Sequence, residues 1–281
     1  MLDILVAILF GLVEGITEWL PISSTGHMIL LEEFITFENV SEDFFSMFDV
    51  VIQLGAIMAV VVLFWGRLFP FKKVRDRKHP SGHIKIDMDI IRMWIKVLIG
   101  CIPAAVVGIL LDDFVDAHFY NGIVVSIALI VFGVAFIVIE TWNKGRVPKV
   151  NSIDEMDLKT ILIIGCFQLL AAIFPGTSRS GATIVGALLI GVNRTAAAEF
   201  TFFMAVPVMA GASFLKLLKF GFSFTALEAA VLLIGMAVAF VTSLLVIRFL
   251  LDYIRKHDFK IFGYYRIILG VIVLLYFAIA G

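Results

Sequence analysis

The sequence predicts an all-α integral membrane protein: about six transmembrane helices plus two re-entrant helical hairpins, arranged as an inverted repeat. Three observations lead there. Of the 281 residues, 61% are hydrophobic and only 16% charged; the mean hydropathy of +1.06 lies far outside the range of soluble domains. Six apolar stretches reach the roughly 20 residues a helix needs to cross a bilayer, at about 49–66, 90–111, 122–142, 198–216, 227–249 and 263–280. Two more, 4–30 and 158–191, break in the middle at a proline followed by small hydroxylated residues.

The breaks read Pro21-Ile-Ser-Ser-Thr-Gly and Pro175-Gly-Thr-Ser-Arg-Ser-Gly. Irregular backbone at membrane depth survives only where protein or a water-filled cavity satisfies its polar groups, so each stretch is expected to enter and leave on one side. Gly11 precedes Pro21 by ten residues, as Gly165 precedes Pro175. Setting the prolines together superposes Glu14 on Gln168, Ser23 on Thr177 and Ser24 on Ser178. Each hairpin is followed by three spans, so residues 1–142 form a first repeat and 143–281 a second. Three true spans per repeat invert the copy, and the hairpins meet near the midplane, as in other inverted-repeat membrane proteins.

Loop charge sets the orientation. The 67–89 loop, RLFPFKKVRDRKHPSGHIKIDMD, is the most basic and is expected inside by the positive-inside rule. Alternation places 143–159, 192–197 and 250–262 inside, each with Lys or Arg, and the acidic 31–48 and 112–121 loops outside. Lys219 in 217–226 dilutes the pattern. The first hairpin then opens outward, the second inward, and both termini lie outside. Asp3 stands where a signal peptide would be basic, and no small-x-small site precedes Glu14, so no cleaved signal is expected. The net charge of −1 leaves no basic surface for nucleic acid. Cys101 and Cys166 lie in apolar segments and are expected as reduced thiols.

Glu14 and Glu18 are spaced to share a helix face, with Cβ atoms about 6 Å apart. Two carboxylates so close repel unless a divalent cation or a shared proton bridges them. Intramembrane ionisable residues are functional by default, although snorkelling at a helix end is the bland alternative. Ser24 and His27 share a face of any helix that starts after Pro21, and Ser24 would need His27 or Glu18 as base to act as a nucleophile. Serine is also a common N-cap, so this motif alone decides nothing. The second motif adds weight. Gly176 permits close backbone approach, the helix N-terminus after it offers free N–H groups, and Arg179 is a charged fork suited to phosphate oxygens. Arg179 paired internally with Glu14 or Glu18 is the competing structural reading. The preferred reading is a phosphate or pyrophosphate site opposite carboxylates that hold a metal ion.

His79-Pro80-Ser81-Gly82-His83 contains PSGH, part of the signature of membrane phosphatases related to phosphatidic acid phosphatase. The Lys…Arg-Pro and Ser-Arg…His…Asp elements that family also needs are missing, and the segment is read as a turn.

The stretch EGITEWLPISSTGHM, the later PGTSRSGATI and the run EFTFFMAVPVMAGA resemble the bacterial undecaprenyl-pyrophosphate phosphatase family, linked to bacitracin resistance. The resemblance covers essentially the whole chain. It implies an enzyme of the bacterial inner or cytoplasmic membrane, Mg2+- or Ca2+-dependent, with its site open to the outer side. Its reaction removes the terminal phosphate of undecaprenyl pyrophosphate, returning the carrier lipid to cell-wall synthesis. Carried over by motif position, it implies Ser24, His27, Glu18 and Arg179 as catalytic residues. Glu14 and Glu18 would hold metal. Phosphate would be bound by Arg179, Ser178, Thr177, Ser180, Gly176, Ser23 and Thr25. Whether Ser24 or His27 attacks stays open. A midplane site also suits a transporter that flips a polyprenyl phosphate, and that is the alternative reading.

Overall fold

Inside a bilayer each backbone N–H and C=O must be bonded within its own segment, and for an isolated apolar run the helix is the solution. A computed structural model, which describes residues 1–74, 83–119 and 121–280, is built accordingly. Its helices are α1 (Leu2–Thr17), α2 (Ser24–Glu32), α3 (Glu42–Val51), α4 (Gln53–Leu63), α5 (Trp65–Leu68) and α6 (Met88–Phe119). They continue as α7 (Gly122–Trp142), α8 (Leu158–Ile173), α9 (Arg179–Leu189), α10 (Arg194–Phe220), α11 (Ala226–Ile254) and α12 (Lys260–Ala280). Six stretches among the described residues are long and apolar enough to cross a membrane: 42–63, 88–111, 122–142, 194–220, 226–254 and 260–279. The protein is an all-α membrane protein with the expected six spans.

Most spans begin a few residues before the apolar windows because polar caps lie outside those windows. Asn121, Asn193 and Thr225 each accept a main-chain N–H three residues on, and Glu228 closes a capping box with Thr225. The first span is interrupted at Ile52, between α3 and α4. Among the described residues the basic 67–89 loop carries the one sheet, of two strands: β1 (Phe71–Val74) pairs antiparallel with β2 (His83–Ile86), from Phe71 opposite Ile86 to Val74 opposite His83. His79 to Gly82, read above as a turn, lie outside the described residues.

The two broken stretches fold as paired short helices, α1 with α2 and α8 with α9. Glycines seat their long arms. Gly11 of α1 lies against the main chain at Gly235 of α11, where a Cβ would sit 2.6 Å from the carbonyl oxygen, and Gly165 of α8 lies against Gly100 of α6. Such small-residue contacts let membrane helices approach closely where no hydrophobic drive separates lipid from protein. α9 packs against α7 and α10, and α7 runs along α12. Cys101 is buried, Cys166 is exposed, and both are free thiols.

Candidate active site

The second helix of each hairpin starts at a serine in an unusual conformation. Ser23 has φ +76° and Ser178 φ +68°, the two non-glycine residues with positive φ among those described. Strain of this kind persists only where surrounding contacts hold it. Each serine caps its helix: Ser23 Oγ accepts from Gly26 N at 3.2 Å and Ser178 Oγ from Gly181 N at 3.1 Å. The first two amides of each helix, Ser24 and Thr25 in α2 and Arg179 and Ser180 in α9, have no acceptor among the described residues. Two anion-seeking helix N-termini therefore stand open.

These caps correct the superposition made from the prolines. Ser23 corresponds to Ser178, not to Thr177, and Ser24 to Arg179, not to Ser178. The second turn holds one extra residue, accommodated by Gly176 at φ +89°, whose missing Cβ would meet Val125 O at 2.6 Å.

Glu18, past the end of α1, joins the two tips. Its Oε2 accepts from Ser24 Oγ at 2.7 Å, and its Oε1 accepts from Arg179 Nη2 at 2.8 Å. Its carbonyl accepts from Ser180 Oγ at 3.2 Å. Arg179 is held a second time, by Nη1 donating to Thr201 O at 2.9 Å; Thr201 Oγ1 in turn meets Thr183 Oγ1 at 2.8 Å. The internal Arg–Glu pair weighed as a competing reading is thus present. It leaves the Arg179 Nε–H and one Nη1 hydrogen without an acceptor among the described residues, beside the open amides of α9.

A second brace on the two tips comes from α12. Arg266 is fully buried and donates to main-chain carbonyls of both turns: Nη1 to Pro21 O at 3.2 Å, and Nη2 to Gly176 O at 2.9 Å and Thr177 O at 2.8 Å. Nε donates to Leu129 O of α7 at 3.4 Å. A planar fork with five donors suits this task, and a lysine could not span it.

His27 is fixed from two sides. Nδ1 lies 2.7 Å from Ser23 O and must donate, because a carbonyl only accepts. Nε2 then carries the lone pair and accepts from Tyr265 Oη at 2.7 Å, and the two rings stack with an interplanar angle of 7°. Beside them lies a cavity of about 440 Å³ walled by Val13, Ile16, Leu20, Ile22, Ile261 and Phe262. His27 therefore faces an apolar space, and the Ser24 hydroxyl meets Glu18.

Glu14 and Thr177 are almost fully buried, and Glu14 Oε1 and Thr177 Oγ1 have no hydrogen-bond partner. A buried polar atom without a partner is costly and marks a place for a ligand or water. Of the residues singled out from sequence, Glu18, Ser24, Arg179, Ser178 and Ser180 converge on one point. Ser23 supports that point through its cap, as Gly176 and Thr177 do through the carbonyls held by Arg266. Thr25 lies half-buried at the first turn of α2, contributing its amide. Sequence reasoning missed Arg266, Tyr265 and Thr201. For Arg266 a signal existed, a lone cation inside an apolar span; for Tyr265 and Thr201 there was none.

The chain is 60% identical over 278 residues to an undecaprenyl-diphosphatase of Desulfitobacterium hafniense, covering 99% of this chain and 97% of that protein. It is 59% identical to an undecaprenyl-diphosphatase of Enterococcus faecalis, with 99% and 98% covered. Undecaprenyl-diphosphatase 1 of Clostridium acetobutylicum matches at 59%, with the same coverage. The family model described as bacitracin resistance protein BacA matches residues 7–272, which include both hairpin tips, Glu18 and Arg266, and the chain belongs to that family.

Proposed function

We propose that the protein hydrolyses undecaprenyl pyrophosphate to undecaprenyl phosphate and inorganic phosphate in the bacterial cytoplasmic membrane. The observation that carries this reading is Glu18 bonded at once to Ser24 of one hairpin and Arg179 of the other. In this reading Ser24 is the nucleophile, Glu18 its base and Arg179 the phosphate-binding cation, beside two open helix N-termini. The names of the relatives agree with it, and the transporter alternative draws no support from them.

In this reading the diphosphate enters between the tips and the isoprenoid chain occupies the apolar cavity beside His27. Arg179 and the amides of Arg179 and Ser180 hold the terminal phosphoryl group. Ser24 Oγ attacks that phosphorus in line, its proton passes to Glu18, and the bond to the bridging oxygen breaks to release the lipid monophosphate. Water then attacks the phosphoserine, giving up a proton to His27 Nε2 once Tyr265 turns aside; the P–Oγ bond breaks, Glu18 returns its proton to Ser24 Oγ at 2.7 Å, and inorganic phosphate leaves. Positioning and charge stabilisation supply most of the rate, as is usual in phosphoryl transfer.

A divalent cation fits the donors present. Glu14 Oε1 is buried without a partner, and the neighbouring donors are carboxylate and hydroxyl oxygens, suited to Mg2+ or Ca2+. Among the described residues no three His, Cys, Asp or Glu side chains converge on a metal site. Glu14 and Glu18 would therefore share the ion with substrate oxygens and water, as Mg2+ sites commonly do. Bound there, the ion would neutralise charge on the diphosphate oxygens.

We place the halves 1–142 and 143–281 in an inverted repeat with re-entrant hairpins. Support comes from the paired positive-φ serine caps and from the crossed seating of α1 on α11 and α8 on α6. Loop charge favours a site open to the outer face with both termini outside.

Phosphate release from a long-chain polyprenyl pyrophosphate, with Mg2+, with EDTA and with His27→Ala, tests the reading. Metal-dependent release that falls by about 10²-fold or more in the variant supports it; no release from folded protein removes it. Glu14→Gln is expected to shift the Mg2+ titration at least tenfold upward with little change at saturation. An unaltered titration moves the ion elsewhere.

A further inference from the structure

Along α7 from Leu129, whose carbonyl Arg266 holds, eleven residues, or about 16 Å at the helical rise, lead to Glu140 and a second cavity. It measures about 400 Å³ and is lined by Arg146, Lys149, Arg194 and Arg255, against the single carboxylate of Glu140. That carboxylate is fully engaged: Arg194 donates to it through Nε at 2.8 Å and Nη2 at 2.5 Å, and Phe259 N donates at 3.0 Å. Among the described residues Arg255 makes one ion pair, an exposed one with Asp252, of the kind that contributes little. Arg146 lies 4.1 Å over the Trp142 ring, and neither it nor Lys149 has a carboxylate partner among the described residues.

The walls are tied in place. Asn143 Nδ2 donates to Leu188 O at 2.9 Å, and Lys149 N donates to Gly191 O at 2.8 Å, joining the loop after α7 to the turn after α9. The rim is apolar and exposed: Trp142 at 48%, Leu189 at 44% and Val147 at 87%. A basic pocket at a span end, rimmed by Trp and aliphatic side chains, matches an amphiphile with a phosphate head at the membrane interface.

We infer that this cavity binds the phosphate of an anionic phospholipid, with Arg146, Lys149 and Arg194 on the head group and the acyl chains along Trp142 and Leu189. The site is distinct from the hairpin tips and independent of their chemistry.

The test is equilibrium binding of dioctanoyl phosphatidylglycerol to the purified full chain in a neutral detergent, with dioctanoyl phosphatidylcholine and inorganic phosphate as separate arms. The variant Arg146→Gln/Lys149→Gln changes two exposed side chains and is expected to fold. Phosphatidylglycerol is expected to bind the unaltered chain at least tenfold more tightly than either other ligand. The double variant is expected to weaken it about tenfold or more, and Arg179→Ala to leave it unchanged. Equal binding of phosphatidylcholine, equal binding of inorganic phosphate, no effect of the double variant, or a loss that follows Arg179→Ala instead would each overturn the proposal.

Discussion

Arg179→Ala is expected to lower turnover by about 10²–10³-fold, the usual effect of removing one preorganised donor to developing charge. The helix should survive, because the substitution lies in the first turn of α9 and Ser178 still caps it. Glu18 is the complication. Its Oε1 loses the guanidinium at a buried position, and a stranded carboxylate costs about 3–5 kcal/mol. The paired variant Arg179→Ala/Glu18→Gln removes that charge and should regain thermal stability in detergent without regaining turnover. Arg179→Lys keeps the charge but not the fork, and should fall between. An active Arg179→Ala protein would end the phosphate-site assignment and leave the Arg179–Glu18 pair as a structural bolt between hairpins.

The second large effect belongs to Arg266, which touches no acidic side chain in any hydrogen bond described and holds four main-chain carbonyls from three segments. Arg266→Leu matches its bulk, yet leaves those carbonyls without donors in an apolar interior. At about 1–3 kcal/mol for each buried group left unpaired, even partial relaxation predicts a loss of at least about 3 kcal/mol. For a chain of this size that lowers the melting temperature by roughly 6–12 °C. Both turns should loosen together, because one guanidinium bridges them. Arg266→Lys separates positioning from folding. Its single ammonium can retain one turn, so the protein should stay folded while kcat falls more than KM rises. A melting temperature and kcat both unchanged in Arg266→Leu would mean that the turns hold their shape by other contacts.

Hydropathy and proline breaks are local signals, and what they govern was legible. The polar caps that extend α10 and α11 beyond their apolar windows were not read, whereas the six spans and the two broken stretches follow from residues within a turn or two of each other. So did the choice of Glu18, Ser24 and Arg179, since a carboxylate, a hydroxyl and a guanidinium beside helix breaks in apolar sequence have few bland uses. The register between the hairpins was not legible. The prolines align one way and the serine caps another, and only the backbone, with its extra residue at Gly176, decides between them.

Other features depend on contacts that no local pattern encodes. The sequence alone determined that this chain lives in a membrane, breaks twice, and carries acid, hydroxyl and base at the breaks. Only the tertiary structure decided which partner each group takes. Ser24 meets Glu18 while His27 meets Tyr265, 238 residues away. Arg266 reaches back 245 residues to Pro21 and 89 to Thr177. The physical reason is range: hydropathy and capping act over a few residues, whereas these bonds exist because packing of α12 against α7 brings one buried fork between two turns.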